Sequence, residues 1–197
     1  ISMKLFHAPG ACSDGIVLLL DIIGVPYEIH ELDVRKGDQR QPDYLAINPK
    51  GKVPALLRDD GRLLTEFPAI AFWLARKFPE AELLPTDPDG EARALELLDF
   101  IVSSIHMRGT ALVQRPSAFA SSAEAQEEVK AMGRQAIERG LSQLDRELGD
   151  QKFLMGDRFT LPDAAAYYVL SWQPRYQVPL GKRLESYYAR LSRLAPA

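Results

Sequence analysis

At 197 residues, 46% of them hydrophobic and 26% charged, the chain is long enough to bury one large core or two small ones without disulfides or metals. A formal charge of −3 with no basic run argues against nucleic acid or an anionic membrane surface as the main partner, and no apolar run approaches the ~20 residues of a membrane span. One cysteine excludes an internal disulfide and any C-x-x-C redox or zinc pattern.

Lys4 to His7 is short and apolar enough for a first strand, which Pro9-Gly10 breaks. Ile16 to Ile23 is apolar almost all round and predicts a buried helix, stopped by Gly24 and Pro26. Tyr27 to Val34 predicts a second strand, and a short helix follows around Asp43 to Ile47. Lys52 to Arg58 and Arg62 to Thr65 flank Asp59-Asp60-Gly61, the strongest hairpin signal in the chain. Pro54 cannot donate to a ladder, so its place in that apolar run predicts an unusual backbone such as a cis turn. Pro68 then opens a helix over Ala69 to Phe78. The order βαβαββα predicts a mixed sheet with helices on its faces.

Pro79 to Asp89 carries three prolines and reads as a linker, beyond which only helical periodicity convinces. Leu95, Leu98, Val102 and Ile105 keep a three-or-four spacing, and Ile137, Leu141, Leu144 and Leu148 keep it again on a long helix ending near Gly149. Thr160-Leu161-Pro162-Asp163 predicts a capping box with Asp as its acidic member. Lys182 to Ala197 reads as a helix cut short. Two domains are expected, over residues 3–78 and 90–197.

The stretch Asn48-Pro49-Lys50-Gly51-Lys52-Val53-Pro54-Ala55-Leu56, followed by Leu63-Leu64-Thr65-Glu66, resembles the glutathione-binding half of glutathione transferases. Lys4-Leu5-Phe6 through Pro9-Gly10-Ala11-Cys12-Ser13 is similar to the signature of their bacterial beta class, and Thr160-x-x-Asp163 matches an element of their helical domain. The resemblance implies a thioredoxin-like first domain, an all-helical second one, and a homodimer. It implies glutathione as co-substrate and a small hydrophobic electrophile as its acceptor, with detoxification as the setting.

By that resemblance the Val53 backbone beside Pro54 pairs with the peptide-like part of glutathione, and Glu66 takes its γ-glutamyl ammonium. Phe67 stands where the family has a small residue, so only its backbone contact carries over, and its side chain is expected in the core. Ser104 is a further contact, and Lys36 or Arg35 supplies a basic one, since Met107 replaces the lysine that often follows the family histidine.

Cys12 precedes the first helix, where free N–H groups and the helix dipole favour a thiolate, although a lone cysteine is commonly just a small buried side chain. The resemblance makes it the residue that contacts the glutathione sulfur and can hold it as a mixed disulfide. His106, on the presumed first helix of the second domain, is by itself more often a packed histidine than a catalytic one. The beta class carries a histidine in this context, followed by an Arg-Pro like Arg115-Pro116, which implies a partner for the sulfur across an interdomain cleft. Trp172 and Tyr176 are weaker candidates for lining the electrophile site.

His7, His30 and His106 lack metal-site spacing, so no metal is expected. No signal peptide precedes Met3, so a reducing cytoplasm is expected, and Ile1-Ser2 reads as an expression remnant. Two alternatives to conjugation stay open: thiol-disulfide exchange through a Cys12–glutathione mixed disulfide, and a non-catalytic binding protein on the same fold.

Overall fold

A computed structural model of the chain describes residues 2–196. The reading of Ile1 as a remnant and the end of the last predicted segment at Ala197 lie outside the described residues. The chain divides into two compact units: one runs to Leu84 and takes in the tail from Leu194, the other spans Pro85–Arg193.

The first unit is built on a four-stranded sheet in the order β2-β1-β3-β4, with β1 at Met3–His7, β2 at Tyr27–Glu31, β3 at Ala55–Leu57 and β4 at Leu63–Thr65. β1 runs parallel to β2 and antiparallel to β3, and β3 runs antiparallel to β4. Helices α1 (Asp14–Ile23), α2 (Pro42–Ile47) and α3 (Phe67–Lys77) complete the expected βαβαββα order. Helix α1 buries Ile16, Leu18, Leu19 and Leu20 and ends where Gly24, at φ 76°, returns its N–H to the Leu20 carbonyl at 2.9 Å. Each such leucine removed from water contributes roughly 1.5–3 kcal/mol. A further cluster joins Phe6, Leu32, Tyr44 and Ala55, with the Phe6 and Tyr44 rings 5.6 Å apart.

Three strands are shorter than the sequence predicts, β4 only by Arg62. β2 stops at Glu31 because the Asp33 carboxylate accepts the Arg35 and Lys36 N–H groups, an Asx turn that draws the backbone out of the ladder. β3 begins only at Ala55 because the Val53–Pro54 bond is cis, as expected, and turns the chain before the strand. The hairpin closes through Arg58 and Arg62, with Gly61 at φ 81°.

Beyond the isolated bridge between Phe153 and Gly156, the described residues of the second unit form helices only. These are α4 (Pro88–Phe100), a π-helix at Ile101–Thr110, α5 (Ala111–Gln114), α6 (Ala123–Leu148), α7 (Leu161–Trp172) and α8 (Lys182–Ser192), with short 3-10 turns at Pro116–Ala118 and Gln173–Tyr176. The helix that carries His106 is therefore not the continuous α-helix predicted. Along α4 and the π-helix Ala94, Leu97, Leu98, Ile101 and Ile105 are buried at a three-or-four spacing, while Leu95 and Val102 of the predicted stripe are half-buried at its border. The predicted stripe of α6 is buried throughout, at Ile137, Leu141, Leu144 and Leu148.

Glycines set how closely α6 and the π-helix approach. A Cβ on Gly133 would lie 2.8 Å from the Gly109 carbonyl oxygen, and one on Gly140 would lie 2.6 Å from Ile105 Cγ1. At the start of α7 the Asp163 carboxylate accepts the Thr160 N–H at 2.9 Å and the Leu154 N–H at 3.0 Å, completing the predicted capping box. The Tyr187 hydroxyl of α8 also bonds Asp163, and burial pushes that carboxyl up to about 6.

Candidate functional site

In the first unit the site begins with the loop into the cis bond. Asn48, almost fully buried, donates to the Lys52 carbonyl at 2.9 Å, and the Tyr44 hydroxyl donates to the same oxygen at 2.6 Å. Two donors on one carbonyl fix the peptide that enters Val53, and neither Asn48 nor Tyr44 was singled out by sequence. Asn48 also accepts the Lys50 N–H at 3.2 Å, which shapes the Lys50–Gly51 turn.

Cys12 lies two residues before α1 and donates its thiol to the Val53 carbonyl at 3.6 Å. This is the backbone that the resemblance assigns to glutathione, so two expected site residues meet here. The thiol does not have the lowered pKa expected at a helix start. Burial, reinforced by the Asp14 and Glu66 carboxylates, pushes it up to about 12, and the Cys12 and Ser13 N–H groups recover only part of that. The residue is half-buried as a whole, but the desolvation acts on the sulfur.

The loop under Cys12 is held by a cluster that the sequence reading missed. Ser13 Oγ, fully buried, accepts the Ala8 N–H at 3.1 Å, donates to the Ala8 carbonyl at 3.2 Å and lies 2.7 Å from His7 Nδ1. With its single proton on Ala8, the hydroxyl takes a third bond from His7 as donor. Asp14 accepts the Gly10 N–H at 3.1 Å and stands 3.7 Å from His7 Nε2. Burial holds the His7 imidazole below its ordinary pKa, against the pull of Asp14 and Glu31.

Glu66 caps α3 at φ 72°, a conformation rare for a residue with a side chain and costing about 1–3 kcal/mol. Ala55 pairs with Thr65 across the hairpin, so the cis bond and Glu66 emerge from the same end of β3 and β4. The Glu66 carboxylate is exposed and accepts Lys50 Nζ at 2.7 Å. Phe67 is buried, which puts its side chain in the core as expected. Lys36 is largely exposed, 3.7 Å from Asp33.

In the second unit the π-helix carries both Ser104 and His106, each half-buried. The Ala111 N–H reaches the His106 carbonyl, five residues back, which is the π pattern. His106 Nδ1 lies 3.0 Å from the Tyr168 hydroxyl, and its ring meets those of Tyr168 and Trp172 nearly edge-on, with centroids 5.4 and 4.8 Å away. Trp172 is buried and packs on His106, while Tyr176 is half-buried. Among the described residues no three His, Cys, Asp or Glu side chains stand together to hold a metal, and no helix is long and apolar enough to cross a membrane.

Residues 10–77 match the glutathione S-transferase N-terminal domain model and residues 101–194 match the C-terminal domain model. The chain is 37% identical over 196 residues to the glutathione S-transferase GstA of Escherichia coli O157:H7, covering 98% of this chain and 92% of that protein. It is 32% identical over 164 residues to a maleylacetoacetate isomerase of Pseudomonas aeruginosa, covering 82% of this chain and 76% of the relative. A crystal structure of a glutathione transferase homolog from Sulfitobacter with bound glutathione superposes with a TM-score of 0.91 at 26% identity, over 98% of this chain and 93% of that one. The thioredoxin-like sheet, the helical second unit and these matches together place the chain in the glutathione S-transferase family.

Proposed function

We propose that the chain binds glutathione along the Val53 backbone and Glu66 and conjugates its thiol to a small hydrophobic electrophile. The observation that carries this is Glu66: its rare backbone presents an exposed carboxylate at the hairpin end that also bears the cis Val53–Pro54 bond. An extended peptide laid along the Val53 backbone, with its ammonium on a carboxylate, is the ligand chemistry such an end accepts. The Phe67 N–H, Ser104 and Lys36 take the ligand's carboxylates. His106 stabilises the sulfur anion, and Cys12 borders the sulfur without supplying the nucleophile. The beta class is the nearest description, on the Cys12 and His106 contexts. The proposal extends to a homodimer in a reducing cytoplasm.

The Cys12 thiol, held near 12, weighs against thiol-disulfide exchange as the main activity, because a protonated thiol attacks disulfides slowly. A second reading comes from the isomerase relative: glutathione adding to and leaving an unsaturated acid would isomerise it with no net consumption of the thiol. Retention on immobilised glutathione, then turnover with an aromatic chloride, a mixed disulfide and a maleyl acid, separates these readings. Conjugation is expected to dominate. No retention would leave a binding protein without glutathione, and turnover of the maleyl acid alone would leave the isomerase.

A further inference from the structure

We infer that Tyr168 is a positioning residue that fixes the tautomer of His106, presenting the imidazole as an Nε2–H hydrogen-bond donor. The inference rests on the reading of His106 as a group that acts on the glutathione sulfur and deepens it. Tyr168 is fully buried on α7, so its hydroxyl is a rigid anchor, 3.0 Å from His106 Nδ1. A phenol donates a hydrogen bond more strongly than it accepts one, because its oxygen lone pair is delocalised into the ring, whereas an imidazole nitrogen without a proton is a strong acceptor. The favoured arrangement therefore sends the Tyr168 proton to Nδ1 and leaves the ring proton on Nε2.

Three further contacts restrict the ring. Trp172 and Tyr168 meet it nearly edge-on, at interplanar angles of 74° and 78°, which opposes rotation about the Cβ–Cγ bond. The π-turn ties the His106 carbonyl to the Ala111 N–H and fixes the backbone beneath it. A histidine held in this way can donate to a sulfur anion, but its Nε2 has no lone pair to take the proton from the thiol. The chemical role assigned to His106 is thus anion stabilisation rather than general-base catalysis.

The test combines a tautomer measurement with kinetics on the full chain. Long-range proton–nitrogen correlation spectra of protein labelled at its three histidines, assigned with His106→Ala, are expected to show the His106 proton on Nε2 alone in native protein. In Tyr168→Phe the Nδ1 signal is expected to move and lose its hydrogen-bonded shift. Tyr168→Phe is expected to lower kcat about 2- to 10-fold, the effect of one neutral hydrogen bond, with the KM for glutathione unchanged. In the His106→Ala background the same change is expected to cost nothing further. A proton on Nδ1 in native protein, or an equal loss from Tyr168→Phe with and without His106, would overturn the inference alone. Full conjugation activity in His106→Ala would overturn the functional reading of His106 and this inference with it.

Discussion

Lys50 Nζ stands 2.7 Å from Glu66 Oε1 and 2.9 Å from Thr65 Oγ1, so the carboxylate proposed for the ligand's ammonium already holds a cation. Both side chains are more than half exposed, and such pairs contribute about 0–1 kcal/mol to stability. Lys50→Met is accordingly expected to leave the melting temperature within about 4 °C of native. A loss of several times that in thermal unfolding would show that the pair is structural.

Cys12 is expected to react slowly. With the thiol near 12, the thiolate fraction rises about tenfold per pH unit from pH 7 to 10, and alkylation by iodoacetamide is expected to follow without a plateau in that range. The folded pKa lies above the ordinary 9.0, so the thiol's contribution to stability is complete below about pH 9 and is lost as pH rises towards 12. Cys12→Ala is expected to remove any disulfide exchange and leave most conjugation, because in the proposed reaction the attacking thiol is that of glutathione. An alkylation plateau below pH 8, or a glutathione adduct at Cys12 forming readily at pH 7 by mass spectrometry, would show a thiolate.

His7 is expected to make the first unit acid-sensitive. Its folded pKa lies below the ordinary 6.5, so the unfolded chain binds the proton first and stability falls as pH drops through about 6.5. His7→Asn keeps a donor for Ser13 and is expected to flatten the melting temperature between pH 5 and 7. An equally steep acid loss in the variant would move the sensitivity elsewhere.

The parts of the fold that the sequence made readable are those encoded by neighbours. Pro54 inside an apolar run announced the cis turn, Asp60-Gly61 the hairpin, and Thr160 with Asp163 the start of α7, because each is a local backbone requirement. The π-helix was missed because apolar spacing does not distinguish a wider turn within an otherwise helical segment. The pairing of Lys50 with Glu66 and of His106 with Tyr168 depends on chain folding back over 16 and 62 positions, and no spacing rule reports that. Cys12 shows the same limit in its electrostatics: the helix start was visible, but the packing that desolvates the sulfur was not.

Gly133→Ala is expected to destabilise, although the same change in an exposed helix usually adds up to ~1 kcal/mol of stability. The new Cβ would lie 2.8 Å from the Gly109 carbonyl and 2.9 Å from Leu112 Cβ, and a backbone oxygen cannot step aside as a side-chain tip can. Overpacking of this kind costs about 1–3 kcal/mol, or a fall of roughly 2–12 °C in melting temperature for a chain of this length. A rise in melting temperature would mean that α6 and the π-helix part easily.

The central claim is that glutathione lies on the hairpin end formed by Val53, Pro54 and Glu66, and calorimetric titration of glutathione into native protein and Glu66→Gln tests it most directly. Loss of the charge-assisted hydrogen bond to the ligand ammonium is expected to weaken binding by about 1–3 kcal/mol, with unfolding unchanged. Equal affinity in a folded Glu66→Gln variant would contradict the account, placing the ligand away from this carboxylate.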